Sequence, residues 1–131
     1  MQTDPLATVR TYLGTNIAMF AMFGARIYAA ANLPPGYKPA DGPACLFAPR
    51  GGGIDYSSTL WIPSLQFRTY ALTETAAWDA WGVLYGALND RQAAGIHYAR
   101  LEPGTFPVFL NEPGLDWPYI LSFFKLHISA R

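Results

Sequence analysis

The sequence predicts an α+β fold in which a mainly antiparallel sheet of about four strands carries two helices on one face, in the order α-β-β-α-β-β. Two observations predict it. The chain has two long segments with helical periodicity, and its strand-like segments are separated by loops rather than by βαβ crossovers. At 131 residues the chain can bury one hydrophobic core but is too short for two, so we expect residues 1–131 to form a single domain.

The first helix is expected to run from Asp4 to about Phe23. Asp4 precedes Pro5, which is the pattern of an N-cap followed by proline at the first helical position. Apolar side chains then recur on one arc of a helical wheel, and we expect this arc to pack on the sheet. The arc consists of Leu6, Val9, Leu13, Ile17 and Phe20.

Two strands are expected in the middle of the chain. Residues 32–43 are rich in proline and glycine and predict a surface loop, which leads to a short apolar strand at Ala44–Ala48. The glycines at 51–53 are expected to end that strand and to make Arg50–Ser58 a mobile connection. From Ser64 to Tyr70 apolar and polar residues alternate, as in a strand with one buried face.

A second helix is predicted at residues 74–92, capped by Thr73 and stopped at Gly95. Its apolar arc is aromatic and is expected to face the sheet. The arc consists of Ala77, Trp78, Trp81, Leu84, Tyr85 and Leu88.

The outer face of this second helix is expected to be partly covered by a partner. It carries few charges and includes Ala80, Val83 and Ala87. Gly82 and Gly86 flank the aromatic arc, and each glycine costs a helix about 1 kcal/mol relative to alanine. This cost suggests that the sheet or a neighbouring subunit approaches the helix backbone closely.

The C-terminal third predicts two further strands. Ile96–Glu102 and Tyr119–Ser129 are rich in residues that favour strands, and residues 103–118 between them are expected to form a long loop.

The composition favours a protein that assembles with other chains. Charged residues make up only 14% of the chain, so part of the surface is expected to be covered by a partner. Nine basic and nine acidic residues give no net charge, which argues against binding to a nucleic-acid backbone. The apolar run from Ile17 to Ala25 is too short to span a membrane, and the single cysteine and the lack of a targeting segment favour a reducing cytosol.

No catalytic, metal or cofactor site is expected. His97 and His127 have no second ligand at metal-binding spacing, and Cys45 lies in an apolar strand without a partner base. The glycines at 51–53 lack the lysine and hydroxyl residue of a phosphate-binding loop. The carboxylates that could form an acid–base pair lie in or beside loops at no fixed separation and are better interpreted as solvated or inter-subunit charges. They are Asp55, Glu102, Glu112 and Asp116.

In layout the chain resembles the tail-terminator or tail-completion proteins of long-tailed bacteriophages. An opening helix leads to the segment Gly24–Tyr28, and a proline-rich approach at Leu33–Pro35 precedes the strand at Ala44. A polar loop, the strand Leu65–Tyr70, a helix capped by Thr73 and two closing strands complete the likeness, which covers nearly the whole chain.

This resemblance implies a structural role in the virion, with assembly in the host cytoplasm. The family's subunits form a ring, expected to be hexameric, that caps the tail tube and joins it to the neck or head–tail connector. The resemblance therefore implies partners in a second copy of the chain, the tube protein and the connector. It implies no membrane and no sequence-specific binding to nucleic acid, with DNA free to pass through the lumen.

Two segments are predicted to make these contacts. Flexible residues in the connection after the first long strand can become ordered on meeting a partner. Apolar residues in the loop before the last strand need a partner or must fold back on their own core. The predicted interface residues are Arg50, Gly52, Asp55, Tyr56, Phe106, Phe109, Glu112 and Trp117.

Two other functions remain open from the residues alone. One is a small-molecule-binding or enzymatic domain with a pocket between helix 74–92 and the sheet. The other is an adaptor that binds a partner peptide along an exposed strand edge.

Overall fold

The computed structural model describes residues 4–30, 32–54, 60–93 and 95–129, with the backbone alone at 52–54, 60 and 129. Three α-helices lie in these residues, namely α1 (Pro5–Thr15), α2 (Ile17–Phe23) and α3 (Glu74–Leu88), and a short 3-10 helix spans Pro39–Asp41. The same residues contain seven strands: β1 (Ile27–Tyr28), β2 (Ala44–Ile54), β3 (Leu60–Tyr70), β4 (Arg91–Ala93), β5 (Ile96–Leu101), β6 (Val108–Asn111) and β7 (Pro118–Ser129).

The predicted sheet of four antiparallel strands with two helices is wrong. The strands form one mixed, strongly curled half-barrel in the order β1-β2-β3-β7-β5-β4, and β6 also pairs with β7. β1 is parallel to β2, and the other pairs are antiparallel. The missed strands β4 and β6 have three and four residues, too few to show a periodicity in the sequence.

β7 organises the sheet because it has neighbours on both edges. Its full length pairs with β3, from Tyr119 opposite Tyr70 to Ser129 opposite Leu60. On its other edge, β6 pairs with the first half and β5 with the second half. The segment predicted as a loop at 103–118 therefore contains a strand.

The predicted first helix is two helices that meet at Asn16. The Asn16 backbone is extended, and its side chain accepts a hydrogen bond from the Met19 amide at 3.1 Å, which caps α2. The break rotates the apolar arc, so Met19 and Phe23 are buried while Ile17 and Phe20 are exposed. The expectation that Ile17 and Phe20 pack on the sheet is wrong for this reason.

β2 continues through the glycines that were expected to end it. A bulge between Pro49 and Gly51 shifts the register, and pairing with β3 then continues as far as Ile54. Gly51 has a φ of 133°, which favours glycine at the bulge.

α3 begins at the predicted cap but ends earlier than expected. The Thr73 side chain accepts a hydrogen bond from the Ala76 amide, and the last helical residue is Leu88 rather than 92. Asp90, with a φ of 58°, then turns the chain into β4. The face of α3 packed on the core contains Ala77, Ala80, Leu84, Ala87 and Leu88.

This orientation corrects two expectations about α3. Ala80 and Ala87, predicted on the outer face, are buried, whereas Tyr85, predicted on the inner arc, is exposed. No atom lies within 4 Å of a Cβ built at Gly82 or Gly86, so the sheet does not approach the helix backbone there.

The sheet has one face covered by the helices and one that is largely open. The helix-covered face holds the main core, in which Phe47, Phe67 and Phe124 are fully buried against the helices. At one end of the open face a second cluster forms under the segment 32–43, where Tyr37 packs with Leu46 and Tyr119. None of the helices in the described ranges is long and apolar enough to cross a membrane.

Candidate partner-binding surfaces

The predicted interface residue Arg50 lies on the open face and is held by its own chain. Its guanidinium forms an ion pair with Glu102, donates to the Ser64 hydroxyl at 3.0 Å and lies 3.8 Å above the centre of the Phe123 ring. Its side chain is still 38% exposed. Arg50 is therefore a fixed cation at the surface rather than a flexible loop residue.

Glu102, at the end of β5, joins three strands on this face. The Ser64 hydroxyl donates to its carboxylate at 2.6 Å, and Arg50 reaches its other oxygen. The hydrogen bond from Ser64, together with the Arg50 charge, lowers the pKa of Glu102 below its ordinary value. Its backbone carbonyl also accepts from the Thr105 hydroxyl at 2.7 Å, which fixes the turn that follows.

That turn presents Phe106 to solvent. Phe106 is 79% exposed, and Pro107 beside it is buried. Val108 and Leu110 in β6 are also exposed, as is Leu115 in the turn that follows β6. We call Phe106, Val108, Leu110 and Leu115 the β6 patch.

Two other predicted interface residues in this region belong to the packing of the sheet. Phe109 faces the opposite side of β6 from Val108 and packs beside Ala71 and Ile120. Glu112 accepts a hydrogen bond from the Tyr70 hydroxyl at 2.6 Å. Burial and this hydrogen bond raise the pKa of Tyr70.

The remaining predicted interface residues are not brought together with Phe106. Trp117 meets Tyr37 edge to face, with ring centres 5.9 Å apart, in the cluster at the covered end of the open face. Gly52 lies in β2 opposite Pro63. Asp55 and Tyr56 lie outside the described residues.

A second exposed apolar surface lies on α2, where the sequence predicted core. Ile17 is 87% exposed and Phe20 is 62% exposed. We call these two residues the α2 patch. The signal that could have revealed it is Asn16, a strong N-cap residue inside an otherwise continuous helical pattern.

A groove of about 470 Å³ lies beside the α2 patch. Ala18 of α2 and Gly82, Val83 and Gly86 of α3 contribute to its walls. A second groove of about 540 Å³, lined mainly by α1, contains Thr8, Thr11 and Gly95. In the first groove, Gly82 and Gly86 have no side chains, which leaves the α3 backbone accessible to an incoming chain.

Neither groove is lined by Cys45 or by the histidines, the residues that were considered for chemistry from the sequence. Cys45 is fully buried, and burial raises the pKa of its thiol, which disfavours the thiolate. Within the described ranges no group of three His, Cys, Asp or Glu side chains could hold a metal ion. The space between α3 and the sheet, where the alternative pocket was expected, is filled by Ala80, Leu84 and Trp81, whose indole N–H donates to Ser122 at 2.9 Å.

Comparison with known proteins adds a likeness in fold. No family model matches the chain, and no curated protein matches it. Among solved structures, the chain is similar to one in the virion of a native gene transfer agent particle, with a TM-score of 0.69 and 16% sequence identity. The likeness covers 95% of this chain and 94% of that chain. At this level of identity it establishes a shared fold.

Proposed function

We propose that this protein is a structural subunit of a phage-like particle, in which copies form a ring that caps the tail tube and joins it to the neck. The observation that carries the proposal is the pair of exposed apolar surfaces, the α2 patch and the β6 patch, on a chain with only 14% charged residues. Its support from outside the chain is the fold shared with a gene transfer agent virion chain and the family resemblance in layout.

The two patches suit a closed ring because they differ from each other. A ring is built from head-to-tail contacts, in which each subunit offers one surface to the next and a different surface to the previous one. In this proposal the α2 patch of one copy packs against the β6 patch of its neighbour. The glycine-lined groove beside the α2 patch gives the neighbour's side chains a place to enter.

The proposal assigns the other predicted partners to the remaining surface. The tube protein and the neck connector would meet the ring above and below, and Arg50 with the segment that follows β2 stays a predicted contact there. The chain would then be located in the virion and would act without catalysis.

The mass in solution tests the ring directly. We expect the wild-type chain to form a closed oligomer by light scattering behind a sizing column, with ring-shaped particles in electron micrographs. Phe20→Asp and Phe106→Asp should each abolish the oligomer while the subunit stays folded by circular dichroism, because both side chains are exposed. Ala29→Asp, which adds the same charge at an exposed position outside both patches, should leave it intact.

A mixture of the two variants tests the head-to-tail arrangement. The Phe20→Asp subunit keeps its β6 patch and the Phe106→Asp subunit keeps its α2 patch, so a 1:1 mixture should form heterodimers that cannot grow. If each variant instead dimerises with itself, the patches contact their own kind and the ring contact is wrong. A wild-type chain that stays monomeric at high concentration and does not bind tube protein would contradict the proposed function.

A further inference from the structure

Arg91 brings a positive charge to the groove beside the α2 patch. Of the described residues that line this groove, Arg91 is the charged one, and it is exposed at the start of β4. Its Nε–H donates to the Gly86 carbonyl at 3.0 Å, which holds the guanidinium against the end of α3. The neighbouring carboxylate of Asp90 is engaged elsewhere, since it accepts hydrogen bonds from Tyr98 and Asn89. In the described part of the chain Arg91 forms no ion pair, so its other N–H donors are open to an incoming acceptor.

Asp116 brings a negative charge to the edge of the β6 patch. It follows Leu115 of that patch in the turn between β6 and β7, and it is exposed. The turn is closed by its own backbone, because the amides of Leu115 and Asp116 both donate to the Glu112 carbonyl and the Glu112 amide donates to the Trp117 carbonyl. Asp116 has a φ of 55°, a conformation that aspartate tolerates better than most residues. Its carboxylate has no hydrogen-bond donor among the described residues, whereas that of Glu112 accepts from Tyr70.

We propose that an ion pair between Arg91 of one copy and Asp116 of the next copy fixes the direction of the contact between the α2 patch and the β6 patch. This inference rests on the proposed ring, in which those two patches meet. Interfaces have an apolar centre and a polar rim, and charges at the rim select the partner and its orientation. Exposed apolar side chains such as Phe20 and Phe106 provide the centre, and Arg91 and Asp116 each lie beside one patch.

The opposite signs of the two charges also act against the wrong contacts. Two α2 patches that packed on each other would bring one Arg91 towards another. Two β6 patches would likewise bring one Asp116 towards another. Repulsion between like charges disfavours such symmetric pairs, and specific interfaces commonly combine attraction to the right partner with repulsion of the wrong one. The head-to-tail contact, which a closed ring requires, is the arrangement that joins opposite charges.

Gly82 and Gly86 allow a neighbour to come close to Arg91. No atom lies within 4 Å of a Cβ built at either glycine, so the described part of the chain does not use this space. A neighbour packed on the bare stretch of α3 brings its β6–β7 turn near Arg91, which bonds the Gly86 carbonyl on the same stretch. Arginine can pair with a carboxylate through two N–H groups at once, which fixes orientation as well as distance. The glycines and Arg91 thus form one binding surface for the turn that carries Asp116.

Neutral variants of the full-length chain measure the coupling between the two residues. Light scattering on serial dilution at low ionic strength gives the Kd of the subunit contact, under conditions where exposed pairs are least screened. Arg91→Gln and Asp116→Asn should each raise this Kd about threefold, and asparagine also tolerates the backbone conformation at 116. The double variant should lose about as much as either single variant, because the second change removes a charge that has already lost its partner.

Charge reversal gives the sharper test. Arg91→Asp and Asp116→Lys each place like charges opposite one another and should raise the Kd about tenfold or more. A 1:1 mixture of the two variants should recover an oligomer close to the wild type, because in an alternating ring every contact again joins an acid to a base. Arg100→Asp makes the same charge change at an exposed site on β5, outside both patches and the groove, and should change the Kd less than about twofold.

The outcomes separate this inference from the proposed ring. If the wild-type chain forms a ring but the mixture does not recover it, or if the two neutral losses simply add, the ion pair is wrong and the ring stands. Arg91 would then act within its own chain, through its bond to Gly86. An equal loss for Arg100→Asp and Arg91→Asp would also overturn the inference. A wild-type chain that stays monomeric would overturn both proposals. Circular dichroism checks that each variant is folded, and the neutral pair decides the question if Asp116→Lys unfolds the chain.

Discussion

The two faces of the sheet are built from alternate residues of the same strands, yet one is covered by the helices and the other is largely open. On the helix-covered face, Leu65, Phe67 and Phe124 are fully buried. On the open face, their neighbours Ser64, Gln66 and Lys125 are polar. Stability in this fold therefore comes mainly from the helix-covered face, which leaves the open face available to partners.

The largest effect should come from matched phenylalanine substitutions on the two faces. Phe67 has no exposed surface, and its ring centre lies 5.4 Å from the ring centre of Phe47 and 5.3 Å from that of Phe124. Phe67→Ala should therefore lower the free energy of unfolding by about 3–5 kcal/mol. Phe123→Ala, which removes a half-buried ring on the open face, should cost only about 1–2 kcal/mol.

Urea unfolding measures both values, provided that the dependence on urea concentration is the same in the two variants. Equal losses would mean that the open face is as tightly packed as the helix-covered face. In that case the open face would not be available to partners in the way we infer.

How well each face could be predicted from the sequence follows from the same comparison. Alternation at 64–70 correctly assigned Leu65 and Phe67 to the core, because one buried face imposes a period of two on a strand. Which polar side chains meet on the open face could not be predicted, because this depends on which strands are neighbours and on their register. Arg50, Arg100 and Lys125 are far apart in sequence and carry no shared local pattern.

The helices show a different limit. Thr73 was correctly predicted as the cap of α3, because capping is a local interaction between a side chain and nearby amides. The buried faces of α2 and α3 were partly misassigned. In α2 the break at Asn16 decides which side faces the core, and in α3 the packing of small residues such as Ala80 decides it. Of the two proposed ring surfaces, the β6 patch contains the predicted interface residue Phe106, whereas the α2 patch was missed because of the break at Asn16.

A smaller effect should come from the polar contact that joins α3 to the helix-covered face. The indole N–H of Trp81 donates to the Ser122 hydroxyl, and Ser122 is 1% exposed. Trp81→Phe leaves that hydroxyl without its donor and should cost about 1–3 kcal/mol. Trp78→Phe is the matched control, since the Trp78 indole bonds an exposed carboxylate at 3.4 Å and its loss should cost less than about 0.5 kcal/mol.

A double-mutant cycle with Ser122→Ala isolates this contact. The double variant should be more stable than the sum of the two single losses predicts, by about 1 kcal/mol. Each single variant leaves one buried polar group without its partner, whereas the double variant removes both the indole N–H and the hydroxyl. Additive losses would show that Trp81 contributes through packing alone.

The smallest effect should come from the ion pair on the open face. The Ser64 hydroxyl and the Arg50 charge lower the pKa of Glu102, so the folded chain binds this proton less readily than the unfolded chain. The resulting stabilisation is present above the ordinary pKa of 4.5 and is lost as the pH falls through that value towards the lower pKa of the folded state. Glu102→Gln should abolish this part of the pH dependence and cost no more than about 1 kcal/mol at neutral pH, because the Arg50 side chain is 38% exposed and solvent screens the pair.

Thermal unfolding between neutral pH and about pH 3 measures the effect, with Asp79→Asn as the control for an exposed carboxylate on α3. We expect Asp79→Asn to keep the wild-type profile and Glu102→Gln to flatten it. If Glu102→Gln leaves the profile unchanged, the carboxylate does not hold Arg50 in the folded chain. The Arg50 guanidinium would then be a mobile charge rather than a fixed one, and order on the open face would have to come from its aromatic contacts alone.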